Sequence, residues 1–418
     1  MTDAPQPRAE TLALLSDLVA FDTVSARSNR ALIDFAAARL AAAGIPAAVL
    51  PSPDGAKASL WATIGPAVDG GVVLSGHSDV VPVDGQAWTS DPFRVTLREG
   101  RAFGRGVADM KGFIACVLGA AARFARAPLT RPIHVALTYD EEVGCVGAPK
   151  LLAWLASQRP RPAIAFIGEP TSMRVVNAHK GILVARTEIR GVEAHSSLAH
   201  LGISAIAVAA QAITLLRTIE AELAAERSDA RFQPASATIS VNRIQGGTAV
   251  NILAGQTWFD WDVRSIPGVE ARAVVARFEE RLEAEVMAPL RRAHPEVAAH
   301  TTVMADAPAL GPEPDGRAEA LAKHLLATNE TRAVAYAAEA GQFQEAGLST
   351  VIVGPGSIDQ AHKADEYVEL AQLAACERFL DRLAESLVRS YTPCRPFPPG
   401  RRPARRASSS TRRCRPMR

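Results

Sequence analysis

Cysteine is scarce in this 418-residue chain. Its five cysteines (Cys116, Cys145, Cys376, Cys394 and Cys414) are irregularly spaced and none forms a Cys-x-x-Cys pair, which excludes a disulfide framework and a zinc site built on cysteine. Long apolar runs are missing as well. No stretch approaches the ~18–20 residues of a membrane span, and residues 1–20 lack the basic start, apolar block and small-residue cleavage site of a secretory signal. The expectation is a cytoplasmic protein with no membrane partner. Nor is there a real excess of charge. Residues 392–418 carry nine arginines and no acid, and without them 37 basic residues face 44 acidic ones, so the formal +2 becomes −7 for residues 1–391. A nucleic-acid role would rest on that tail alone, and none is expected. The tail is rich in Pro, Arg and Ser without apolar periodicity and is expected to be disordered. In the whole chain 48% of residues are apolar and 22% charged, which excludes disorder throughout.

Apolar spacing predicts two helices within residues 8–43, the second stopped by Gly44–Pro46. Short apolar runs at 60–64, 71–75, 133–138, 163–167 and 350–353 read as buried strands, with helices at 113–124, 149–157, 318–327 and 370–389. Buried strands alternating with helices predict an α/β domain with a central mixed, mostly parallel sheet flanked by helices. The middle of the chain differs: 182–190 alternates apolar and polar residues. A helix (203–225), two strands (237–244 and 256–264), a second helix (269–292) and a final strand (297–304) follow. That order is β-α-β-β-α-β, a ferredoxin-like α+β unit. The expected domains are therefore 1–181 and 305–391 for the larger unit, 182–304 for an inserted one, and 392–418 for the tail.

Five segments hold candidate ligands, each just past a strand or at a turn: GHSDVVP (76–82), GRGVADMKG (104–112), DEEVGCVG (140–147), GEPT (168–171) and GPGSIDQAHKADEY (354–367). Asp79 stands two residues after His77, where an acid can accept the proton of the second imidazole nitrogen and so orient the ring. Asp109 precedes an apolar helix and also reads as a helix N-terminal acid. Asp140, Glu141 and Glu142 repel one another unless cations neutralise them, and a solvated acidic loop is the plainer alternative. Together the segments place two histidines and several acids at the strand-end loops of one sheet. Imidazole mixed with carboxylate suits zinc, cobalt or manganese better than calcium. His134, inside an apolar strand, reads as a core residue rather than a ligand.

Those five motifs, in order over residues 8–391, resemble the M20 family of co-catalytic metallohydrolases. The resemblance implies that His77 and Glu169 hold one metal, Glu142 and His362 the other, and that Asp109 bridges them. Two divalent ions per subunit, zinc or cobalt, are then expected. It further implies that Glu141 is the general base and Asp79 the partner of His77. The inserted unit resembles the family's lid and dimerisation domain. In it GVEAHSS (191–197) resembles the motif whose His195 reaches the active site of a partner subunit, so a homodimer is expected. GGTAVN (246–251) and DVRSIPG (262–268) also match lid segments, giving Asn251 and Arg264 as substrate-binding candidates. Arg264 suits a substrate α-carboxylate; an ion pair with Asp260 or Asp262 is its structural alternative. Residues 357–360 and AEAG (338–341) most resemble the acetylornithine deacetylases of that family, which implies hydrolysis of N-acetyl-ornithine to ornithine and acetate. Glu339 then holds the substrate's ammonium group or is an exposed loop acid. Succinyl-diaminopimelate desuccinylase or another N-acyl amino acid hydrolase is the nearest alternative, and a metal-free, peptide-binding dimer is the non-enzymatic one.

Overall fold

The structure, a computed structural model, describes residues 5–388; the Arg/Pro/Ser-rich stretch 392–418 lies outside the described residues. The strands are β1 (Ala47–Pro51), β2 (Ala58–Ile64), β3 (Gly71–His77), β4 (Thr96–Arg98), β5 (Arg101–Phe103), β6 (Ile133–Thr138), β7 (Pro162–Ile167), β8 (Val176–His179), β9 (Ile182–Arg190), β10 (Thr238–Gly246), β11 (Gln256–Arg264), β12 (Ala298–Ala307), β13 (Arg332–Val334), β14 (Ser349–Ile352) and β15 (Tyr367–Glu369). They form three sheets. No helix among the described residues is long and apolar enough to cross a membrane.

The largest sheet has eight strands in the order β1-β2-β6-β3-β7-β14-β8-β13. Its central four, β6, β3, β7 and β14, run parallel to one another, while β2 and β8 join them antiparallel. The sheet is thus mixed, with a parallel centre. Every residue of β3 and β6 is buried, because successive side chains enter two different cores. Val72 and Leu74 pack with helices Ala9–Ala20, Arg30–Ala42, Lys111–Arg126 and Leu370–Val388. Val73 packs on the other face with Ala148–Leu155 and Ala340–Glu345. Continuous apolar runs are what two covered faces require. Because the central strands share a direction, their C-terminal ends open onto one edge, and the loops there lie close together. Two glycines permit the approach. A β-carbon on Gly168 would lie 2.1 Å from the Phe113 ring, and one on Gly354 would lie 2.0 Å from the Gly168 carbonyl oxygen.

The four-stranded sheet has the order β10-β11-β9-β12, antiparallel throughout. With helices Ala205–Glu226 and Ala271–Leu282 it makes the ferredoxin-like unit. Leu183, Ala185, Phe259 and Trp261 pack on those helices, whereas the other face carries polar groups, with the guanidinium groups of Arg186 and Arg243 both against the Trp258 ring. The second helix is shorter than its periodicity predicts. It ends at Leu282 and passes through a π-helical turn, Glu283–Met287, into a one-turn helix, Ala288–Arg291. Pro289 lacks the N–H that a continuous α-helical ladder needs there. The three-residue strands β4, β5, β13 and β15 and the four-residue β8 have no sequence signal, being too short for a period to show.

Candidate metal centre

The site is assembled where β3, β6, β7 and β14 end. His77, the last residue of β3, is buried; its Nε2 lies 3.0 Å from Asp109 Oδ1 and 3.8 Å from Glu169 Oε1. Its Nδ1 faces the Asp79 backbone carbonyl at 2.9 Å and the Asp79 carboxylate at 3.6 Å. Asp79 is itself fixed, accepting from Ser25 Oγ at 2.7 Å and from the backbone N–H groups of Glu141 at 3.2 Å and Glu142 at 3.3 Å. With Nδ1 turned to Asp79, Nε2 is the nitrogen left to face Asp109 and Glu169. On the other side, His362 Nε2 lies 3.3 Å from Asp109 Oδ2 and 3.0 Å from Glu142 Oε2. Each Asp109 oxygen therefore faces a different histidine. The outcome is two triads, His77–Asp109–Glu169 and Asp109–Glu142–His362, each with ligand atoms within 4.8 Å of one another.

The three consecutive acids part company. Asp140, with a left-handed backbone (φ +57°), forms an ion pair with Lys57. Glu142 joins the second triad, and Glu141 belongs to neither, its Oε1 accepting from Cys145 Sγ at 3.3 Å. Burial, then repulsion from Glu142 and Asp109, raises the Glu141 pKa well above the carboxylate range. Burial and Asp109 raise Glu142 and Glu169 too. Burial is the largest influence on both His77 and Asp109 and opposes their charge, but their partners together outweigh it: Asp109, Asp79 and nearby carboxylates hold His77 high, and His362, then His77, holds Asp109 low. The pocket concentrates negative charge with two histidines to balance it. Glu142 Oε1 and Glu169 Oε1 are buried with no hydrogen-bond partner among the described residues. Orphaned carboxylate oxygens beside imidazole nitrogens are the donor set that a pair of divalent cations requires.

The remaining candidates belong to neither triad, although Glu339 is near enough to interact with the charge of His77. His195 is exposed and its Nδ1 accepts from Ser197 Oγ at 2.7 Å. It adjoins Asn251, whose carbonyl accepts from Ser196 N–H at 2.9 Å. Arg264 Nε is 4.0 Å from Asp262, while Asp260 is taken by Arg186 at 2.7 Å. Glu339 is not an exposed loop acid. It is buried, its Oε2 accepts from Thr138 Oγ1 at 2.9 Å, and burial pushes its pKa to about 7. His134 is a core residue, stacked on Trp61 with Nδ1 3.0 Å from Thr63 Oγ1. Sequence reasoning missed Ser25 and Lys57, which no motif marks. It also passed over Arg105 and Glu366, although both stand inside motifs it singled out.

Residues 73–386 match the profile of Peptidase family M20/M25/M40. Among curated proteins, the chain is 39% identical over 379 residues to acetylornithine deacetylase of Myxococcus xanthus, covering 88% of this chain and 95% of that one. It is 33% identical over 382 residues to acetylornithine deacetylase of Proteus mirabilis, covering 90% and 96%. Among solved structures, an M20 family metallo-carboxypeptidase from Sulfolobus solfataricus superposes with a TM-score of 0.70 at 16% identity, covering 91% of this chain and 99% of that one. A dinuclear metal binding peptidase of the M20 family from Bacillus subtilis gives 0.63 at 18% identity, covering 90% and 97%. At those identities the structural likeness speaks for the fold.

Proposed function

The chain belongs to Peptidase family M20/M25/M40, and on that premise we propose that it removes the acetyl group from N-acetyl-ornithine, acting in the cytoplasm. It is a dinuclear metal-dependent amidohydrolase of N-acyl amino acids. The observation that carries the hydrolytic reading is the pair of triads sharing Asp109. The deacetylase relatives support the acetyl-ornithine substrate.

In this reading His77 and Glu169 hold one ion, Glu142 and His362 the other, and Asp109 both. Imidazole and carboxylate donors suit zinc or cobalt. Such ions, when bound, supply Lewis acidity to the acyl oxygen and to the attacking water. Glu141, free of both triads, takes the proton from that water and delivers it to the amine nitrogen as the C–N bond breaks, leaving ornithine and acetate. Asp79 keeps the His77 ring oriented. Arg264 pairs with the substrate α-carboxylate, Asn251 adds a hydrogen bond, and Glu339, whose Oε1 has no partner among the described residues, balances the side-chain ammonium. A homodimer would bring His195 to the partner's site as a donor to the developing oxyanion. Support for the dimer comes from exposed apolar residues on the unit that carries His195 and Asn251: Leu198, Leu201, Ile206, Ile244, Val250 and Ile252.

The test compares kcat/KM for N-acetyl-ornithine, N-acetyl-methionine and N-succinyl-diaminopimelate on zinc- or cobalt-loaded protein. N-acetyl-ornithine is expected to lead by about tenfold or more. A lead for the succinyl substrate would transfer the assignment to the desuccinylase reaction. No hydrolysis of any amide would leave the peptide-binding dimer.

A further inference from the structure

We propose that the buried Arg105–Glu366 pair is a positioning device that presets the loops carrying Asp109 and His362, and so sets the affinity of the metal site made by Asp109, Glu142 and His362. Neither residue has a part in the chemistry above. Both side chains are 1% exposed and they meet at 2.8 Å. The Glu366 carboxylate accepts three more hydrogen bonds, all from backbone N–H groups of the loop that ends in Asp109: Gly106 at 2.9 Å, Ala108 at 2.9 Å and Asp109 itself at 3.1 Å. Gly106 has φ +82°, which a β-carbon would resist, and that turn helps the N–H groups converge on one anion.

Arg105 reaches the other way. Its Nη1 donates to the Lys363 carbonyl at 3.3 Å and its Nη2 to Gln86 Oε1 at 2.5 Å. Gln86 Nε2 in turn donates to the His362 carbonyl at 3.0 Å. His362 has a left-handed backbone, φ +63°, a conformation that a residue with a β-carbon holds only when its surroundings impose it. The pair therefore grips both loops through their main chains.

The two triads depend on this grip unequally. His77 and Glu169 sit at the ends of β3 and β7, where the sheet ladder fixes them. Asp109 is common to both triads, but only in the other one does a second ligand, His362, hang from the clamp as well. The His362 side chain is 51% exposed against 1% for His77, so packing contributes little to holding it. Loosening the clamp should act chiefly on the Asp109–Glu142–His362 site.

The inference rests on the ligand assignment above, so the experiment starts with the wild type. Metal-free full-length protein is titrated calorimetrically with Zn(II), and with Co(II) while its visible absorption is followed. The wild type should take up two ions. In Glu366→Gln one of the two affinities should fall about 10–100-fold, the other staying within about threefold, with the cobalt spectrum altered for one equivalent only. Gln86→Ala leaves the buried ion pair in place and cuts only the link to His362; it should weaken the same ion about 3–10-fold, and it decides the matter if Glu366→Gln fails to fold. A lower Tm with both affinities unchanged would show a merely structural ion pair and overturn the proposal, as would equal weakening at both sites. A wild type that takes up fewer than two ions would overturn the ligand assignment and this inference with it.

Discussion

The eight-stranded sheet buries every residue of β3 and β6, whereas β10 of the four-stranded sheet leaves most of its residues exposed. The first sheet is covered on both faces at its centre and ends in loops that converge, so side chains there are held by packing and by bonds to other loops. Asp79, for example, ties the end of β3 to the loop after β6. The second sheet has one core face and one open face, and of the candidates on its unit His195 is exposed, its Nδ1 bonded to Ser197 two residues on. A rigid covered sheet can supply a complete ligand set from one chain. An open sheet supplies an edge and an apolar surface, which gain a role when something else meets them.

Substitutions in the two regions should therefore fail in different ways. The largest expected effect is on the covered sheet. Glu141→Ala should lower kcat about 10²–10⁴-fold while metal analysis still finds two ions per chain, because a proton carrier is lost but no ligand. Loss of one ion in that variant would exchange the roles of Glu141 and Glu142. On the open sheet, His195→Ala should lower kcat about 10²–10³-fold with metal content unchanged. The sharper contrast comes from mixing the two variants. A mixed dimer has one site with an intact Glu141 and a partner's intact His195, so activity should partly return. If subunit exchange is verified and the mixture stays inactive, His195 works within its own chain and the contrast between the regions weakens.

The smallest effect concerns acid. Burial holds His134 and His179 at pKa values of about 4, against about 6.5 for an unfolded histidine. At these two sites the unfolded chain binds more protons than the folded one between those values, so their contribution to stability falls as pH is lowered from about 6.5 to about 4. Each histidine contributes a loss on the order of 3 kcal/mol across that window. Both belong to the eight-stranded sheet, and the inserted unit has no buried histidine among the described residues. Hydrogen exchange at pH 4.5 should accordingly quicken in β6 and β8 before β9 and β11. His134→Gln should remove the His134 share of the fall in the urea midpoint between about pH 6.5 and about pH 4; an unchanged slope would place the acid sensitivity elsewhere.

Much of this was legible in the residues alone. The run at 71–75 is apolar at nearly every position because two faces are covered, and 182–190 alternates because one is. Both patterns survive in β3 and β9. The segments holding His77, Asp109, Glu142, Glu169 and His362 stood out because they follow an apolar strand or precede a helix, while the choice of ligand within each came from the family resemblance. The short strands β4, β5 and β15 were invisible, since three residues carry no period. Ser25, Lys57 and Glu366 were not identified as supports because their partners lie 54, 83 and 257–261 residues away.

Local pattern alone determined where the longer strands run, which of their faces are buried and which polar residues stand at their ends, because period and turn chemistry act over a few neighbours. Tertiary structure decided that the two oxygens of Asp109 face different histidines, that Asp140 goes to Lys57 and not to the triads, and that Glu339 is buried. Those outcomes depend on the order of parallel strands in the sheet and on hydrogen bonds between distant loops, and no local spacing encodes either.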